Sequence, residues 1–152
     1  MRIEKIATDK KRFLDLLLLA DEQEDMIDRY LERGDLFALF DPDLKSLCVV
    51  THEGKGTCEL KNLATGTRYQ GQGYATCLLE HIFRHYSKYE TILVGTGEVP
   101  RMLAFYERRG FIFSHRLKNF FTDNYREPMV ECGVRLVDMI YLKRSLKQSN
   151  FE

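Results

Sequence analysis

The stretch that most restricts this chain is "ETILVGTG", residues 90–97. It is short, its middle from Ile92 to Gly95 is an unbroken apolar run, and it lacks the polar alternation of a half-solvated strand, so it reads as a central strand covered on both faces. A helix-like segment, 73–88, precedes it; Ala75, Leu78, Leu79, Ile82 and Tyr86 recur there at helical spacing and give one buried face. Before that helix stand "LKSLCVVTHEG" and "GTCELKNLAT", two strands joined by the turn "EGKG". A strand, a helix and a buried strand in that order call for a parallel crossover.

The flanks fill in around that unit. "RIEKIA" (2–7) and "DLFALFD" (35–41) read as strands, the latter ending in the turn "DPDL". "KKRFLDLLLLA" and "EDMIDRYLER" read as two short helices, the second stopped by Gly34. "PRMLAFYERRG" is a helix with Pro100 near its start and Gly110 just past its end. "FIFSHR" is a strand, "LKNFFTDNYREPMVECG" an aromatic-rich connection, and "VRLVDMIYLKRSL" the last strand. The expected fold is a mixed α/β sheet in a single domain spanning 1–152.

Charge narrows the function. The 23 basic and 23 acidic side chains cancel, which argues against a general binder of nucleic acid or anionic membrane. "LLLL" at 16–19 is flanked by Asp15 and Asp21 and fits neither a signal peptide nor a membrane span. Cys48, Cys58, Cys77 and Cys132 form no CxxC pair, so free thiols in a cytoplasmic protein, with no metal site, are expected.

Gly71 and Gly73 sit between a strand and a helix. Glycine lets backbone amides approach a ligand, and the first amides of a helix have no internal partner and carry the positive end of its dipole. Together they suit a phosphate group. No Gly-Lys-Ser/Thr follows, as a Walker loop would need, and Thr76 stands where a dinucleotide fingerprint has its third glycine. Two glycines alone are equally compatible with a turn kept for packing.

"QGQGYA" (70–75) fits Gln/Arg-x-x-Gly-x-Gly/Ala, and about 30 residues later "LAFYERRGF" (103–111) ends a helix in Tyr-x-x-x-Gly-Phe. In this order the two motifs resemble the Gcn5-related N-acetyltransferases (GNAT), most strongly over 56–113. The tail from Asn119 resembles a small bacterial subgroup, some of whose members carry an indole-acetate acetyltransferase label. The resemblance implies about seven mostly antiparallel strands with one parallel β-α-β crossover and about four flanking helices. It implies acetyl-CoA, its pyrophosphate on Gln70, Gly71, Gln72, Gly73, Tyr74 and Ala75 with Thr76 nearby, and its pantetheine arm beside Leu63, Ala64 and Thr65. A homodimer is a family-level expectation.

Acetyl transfer to an amine needs a base for an ammonium of pKa ~10.4 and an acid for a departing thiolate of pKa ~8.5. Glu59 matches the family's strand glutamate; a carboxylate near pKa ~4.3 would need a water relay or burial to serve. Its other reading is an ion pair with Lys61. Tyr106 matches the motif tyrosine and would protonate the sulfur; its other reading is a core aromatic. The asparagine often found seven residues earlier is Val99 here, so that contact is not carried over. Cys58 should face the core, His81 and His85 a solvated helix face, and His115 could act near the acceptor.

The acceptor wall draws on two regions. Phe120, Phe121 and Tyr125, with Asp123, Glu127 and Glu131, would suit a small cationic amine, or else cover the sheet or a dimer contact. Asp25, Asp28 and Tyr30 are candidates on the N-terminal helices. The expected activity is N-acetylation of a small-molecule or peptide amine in a ternary complex. The alternative is a non-catalytic acyl-CoA-binding or sensing module.

Overall fold

A computed structural model describes residues 1–147. The strands are β1 (Arg2–Ile6), β2 (Asp35–Phe40), β3 (Leu44–Gly54), β4 (Thr57–Thr65), β5 (Thr91–Gly97), β6 (Ile112–Leu117), β7 (Val130–Glu131), β8 (Val134–Arg135) and β9 (Met139–Ser145). The helices are α1 (Leu14–Ala20), α2 (Glu24–Ile27), α3 (Tyr74–His85), α4 (Pro100–Glu107) and α5 (Phe120–Asn124), with 3-10 turns at Lys10–Phe13 and Thr67–Tyr69. Seven strands form one sheet in the order β1-β2-β3-β4-β5-β9-β6, and β7 pairs only with β8. All neighbours are antiparallel except β4 and β5, the crossover expected from the run 90–97.

The inner strands are buried on both faces, and their alternation sorts two cores. Phe37, Leu39, Cys48, Val50, Cys58 and Leu60 pack with Leu78, Leu79 and Ile82 of α3 and Tyr106 of α4. Leu36, Ala38, Leu47, Val49 and Ala64 pack with Leu17 of α1 and with Ile27 and Tyr30. Each such fully buried aliphatic side chain contributes about 1.5–3 kcal/mol. α1 and α2 therefore cover one face, α3 and α4 the other.

Two expectations need correction. The helix read over 24–33 lasts only four residues. Lys10, itself buried, reaches in and donates its ammonium protons to the carbonyls of Leu31, Glu32 and Gly34 at 3.2, 3.2 and 2.6 Å. After Ile27 the backbone tightens to i→i−3 bonds at Arg29 and Tyr30. The last strand begins at Met139, not Val134, because Val134–Arg135 folds back on Val130–Glu131 and Leu136 N bonds Met129 O at 2.8 Å. The connection before it also holds α5, whose Phe121 is buried against Val99 and Leu136.

β4 and β5 pair for only part of their length. The register runs from Thr57 opposite Thr91 to Leu60 opposite Val94 and stops, although β4 continues to Thr65 and β5 to Gly97. On its other side β4 carries a bulge at this point: Val50 faces Leu60 and Val49 faces Asn62, leaving Lys61 as an extra residue. A bulge bends its strand and ends local pairing. The result is an opening between the two strands, with Lys61 at its apex.

Candidate active site

On the α3 side, the opening leads to the glycine turn. Gly71 and Gly73 have φ of 79° and 88°, left-handed values that a side chain disfavours. No atom lies within 4 Å of where a Cβ would sit on either, so both face open space rather than packed neighbours. Gly73 caps α3, and the first backbone bond of that helix runs from Cys77 N to Gly73 O at 3.0 Å. Among the described residues the amides of Tyr74, Ala75 and Thr76 donate to nothing, which leaves an anion cradle at the positive end of a twelve-residue helix. The Tyr74 hydroxyl donates to Asp41 at 2.8 Å, and Arg109 donates from Nη2 to the Thr76 hydroxyl at 2.7 Å, so the first turn is braced from the loops that follow β2 and α4. Gln70 reaches back from its side-chain amide to the Thr65 carbonyl at 3.3 Å. Leu63, Ala64 and Thr65 lie on the length of β4 with no β5 partner.

Tyr106 stands on this face too. Its ring is 5% exposed and packs edge-on to Phe105 and Phe111, and burial raises the pKa of its hydroxyl. That hydroxyl bonds no described residue, yet it is not among the fully enclosed polar atoms lacking a partner. It is therefore not completely enclosed by the residues around it. Cys58 is buried in the core, where desolvation pushes its thiol up to about 12, far from a nucleophile's range.

Glu59 faces the other side. It is 6% exposed and accepts the Tyr141 hydroxyl proton at 2.9 Å, while Lys61 Nζ lies 3.0 Å from the same carboxylate oxygen. The lysine pair read from the sequence is thus present and does not seal the carboxylate, which lines a cavity of about 160 Å³. Tyr141 reaches Glu59 across β5 because Gly95 leaves room: a Cβ there would stand 3.1 Å from the tyrosine ring and 2.5 Å from Met139 Sδ. His115 stacks on the far side of Tyr141, centroids 4.7 Å apart, and is exposed.

The cavity also takes in Asp21, Arg29, Tyr30, Arg33, Phe120 and Tyr125. Asp21 is the hub: its two oxygens accept the hydroxyl protons of Tyr30 at 2.9 Å and Tyr125 at 2.5 Å, and burial raises its pKa. Asn62 supports Tyr30 from β4, donating to its hydroxyl and to the Leu17 carbonyl, both at 3.1 Å. Three candidate residues, Tyr30, Phe120 and Tyr125, are thereby brought together with Glu59. Others are not. Asp25 pairs with Arg126 at 2.6 Å and Asp28 with Lys11 at 2.7 Å, both on the exposed surface, and Phe121 is spent in its own small core. The acidic lining expected from Asp123, Glu127 and Glu131 is absent from this cavity; Glu127 lines a separate one of about 110 Å³, as do Phe121 and Tyr125. Asp21, Asn62 and Tyr141 carried no local motif and escaped the sequence reading.

His81 and His85 pack against the ring of Phe37, and no metal-capable cluster occurs among the described residues. No helix among them is long and apolar enough to cross a membrane.

Comparison with known proteins bears on this geometry. The model of the acetyltransferase (GNAT) domain matches residues 37–113, half of the chain. The chain belongs to the GNAT acetyltransferase family. A Bacillus subtilis (strain 168) relative, the uncharacterized N-acetyltransferase YvbK, is 32% identical over 146 residues, 93% of this chain and 94% of that protein. The crystal structure of a GNAT acetyltransferase from Elizabethkingia anophelis with acetyl-CoA bound is 32% identical, with a TM-score of 0.89 over 95% of this chain and 97% of that one. An IAA acetyltransferase from Bacillus cereus is 30% identical, with a TM-score of 0.86 over 95% and 98%. The GNAT match spans β2 to β6 and so contains the glycine turn, Glu59 and Tyr106.

Proposed function

We propose that this GNAT enzyme transfers the acetyl group of acetyl-CoA to a primary amine, by direct attack in a ternary complex. The observation that carries the reading is the opening at Lys61. It has an anion cradle and an unbonded tyrosine hydroxyl on one face of the sheet, and a lined cavity with a buried carboxylate on the other.

The residues fit acetyl-CoA. The amides of Tyr74, Ala75 and Thr76, with the Gly71–Gly73 turn, hold its pyrophosphate, and the free length of β4 at Leu63–Thr65 lies beside its pantetheine arm. Bound there, it supplies the thioester. On the opposite face Glu59 takes one proton from the acceptor's ammonium, directly or through one water. The free amine then bonds the acetyl carbon as the carbon–sulfur bond breaks, Tyr106 gives its proton to the departing sulfur, and the second proton lost by the acylated nitrogen restores the tyrosine hydroxyl through water while the first leaves Glu59 for solvent. Lys61 already occupies one oxygen of Glu59, so the acceptor shares or displaces that ammonium. Tyr141 holds the carboxylate in place meanwhile.

A calorimetric titration with acetyl-CoA, followed by a thiol-release assay against a pooled amine library, tests this. Binding with CoA release is expected. Absence of binding overturns the reading of the glycine turn. Binding with no turnover across the library favours the sensing module instead.

A further inference from the structure

The charges around the acceptor cavity do not balance as a site for simple amines would. Three cations, Arg29, Arg33 and Lys61, line it with two carboxylates, Asp21 and Glu59. Lys61 is paired with Glu59 at 3.0 Å, and Arg33 with Glu53 at 2.9 Å. Asp21 lies within the field of Arg29, but both its oxygens are taken by tyrosine hydroxyls. Arg29 alone among these cations makes no ion pair with a described residue. Its Nη1 donates to a neutral acceptor, the Asn124 side-chain oxygen, at 3.3 Å, and its side chain is exposed at the rim. The rings of Tyr30, Phe120, Tyr125 and Tyr141 line the same cavity.

An alkylamine would enter as a further cation beside three others, with no uncommitted carboxylate to receive it. An amine that brings its own carboxylate enters with no net charge. Its anion meets the planar fork of Arg29, which suits a carboxylate in two parallel hydrogen bonds. Its side chain lies along the aromatic walls, and its amine is turned toward Glu59. We infer that the acceptor is a small amino acid, its carboxylate seated on Arg29 and its amine presented to Glu59. The inference rests on the acetyl-transfer reading above and names the substrate class for it.

The test uses matched pairs, each an amino acid and the amine left when its carboxylate is removed: phenylalanine with phenethylamine, tyrosine with tyramine, leucine with isoamylamine. Two quantities are measured for each compound: binding to the CoA-loaded protein by calorimetry, and CoA release from the acetyl-CoA-loaded protein. The amino acid of at least one pair is expected to bind about tenfold or more tighter than its amine and to react in preference to it. In Arg29→Gln that ratio should fall to about threefold or less, whereas a preference due only to the lower basicity of an amino acid's amine would persist. Arg29→Lys should recover part of it. Equal or tighter binding of the amine in every pair overturns the inference. So does an unchanged ratio in Arg29→Gln, or no binding by any of the six compounds to protein that binds CoA. Loss of acetyl-CoA binding itself would instead strike the reading of the cofactor turn.

Discussion

The glycine turn and the cavity at Glu59 lie on opposite faces of one opening in the sheet, but they are built by different means. The turn is eleven consecutive residues, 66–76, and its working groups are main-chain amides. The cavity is drawn from α1–α2, β4, β5, α5 and β9, and its working groups are side chains: Asp21, Tyr30, Glu59, Tyr125 and Tyr141. A main-chain site is set by φ and by the absence of side chains, so few substitutions can change what it binds. A side-chain site changes with any of its contributors, so one fold can serve many acceptors.

Substitutions that treat the two regions differently sharpen this contrast. The largest effect is expected at the turn. Gly73→Glu should abolish CoA binding in a protein that still melts cooperatively, because it sets a carboxylate at the cradle. Gly73→Ala, which brings only the strain of a left-handed residue, about 1 kcal/mol, should keep measurable binding. If both variants bind CoA normally by calorimetry, the turn is not the anion site.

Next comes chemistry. Tyr106→Phe should lower kcat about 100-fold with little change in CoA affinity. Unchanged turnover, with the chemical step shown to limit the rate, removes its role as the acid. Tyr141→Phe removes one hydrogen bond to Glu59 and should cost about tenfold in kcat. A comparable loss from Gly95→Val, whose side chain would displace Tyr141, would tie that glycine to the same function.

The smallest effect lies in the cavity's hub. Burial raises the Asp21 pKa above its ordinary value of 3.8, so in that window the folded state holds more protons than the unfolded one, and stability falls as pH rises through it. Asp21→Asn cannot titrate. Urea unfolding at pH 4 and pH 8 should show the variant gaining on the parent at the higher pH, by about 1 kcal/mol or less. A gain at the lower pH would mean that the tyrosine hydroxyls outweigh burial.

The same contrast explains what the sequence disclosed. The crossover, the inner strands and the glycine turn were legible because each depends on neighbours in the chain: the apolar run 90–97, the alternation at Phe37 and Leu39, and the spacing of Gly71 and Gly73. The candidates Glu59 and Tyr106 came with motifs around them. Asp21 looked like any surface aspartate at a helix end, since its partners are Tyr30, nine residues on, and Tyr125, more than a hundred away. The segment read as a helix over 24–33 is likewise tied to a distant residue, since the ammonium that takes up its last carbonyls belongs to Lys10.

Lys61 carries one more consequence. Before it, Cys58 and Leu60 face α3 and Glu59 the cavity; after it, Leu63 faces α3 while Asn62 and Ala64 face α1. Odd and even positions exchange sides at this residue, as rows shift across a dislocation in a crystal. Were Lys61 a regular paired strand residue instead of a bulge, strict alternation would carry Asn62 to the α3 face and Leu63 to the α1 face. Tyr30 would lose the amide that supports it, and a leucine would stand in its place. One bulged residue thus decides which side of the sheet every later residue of β4 serves.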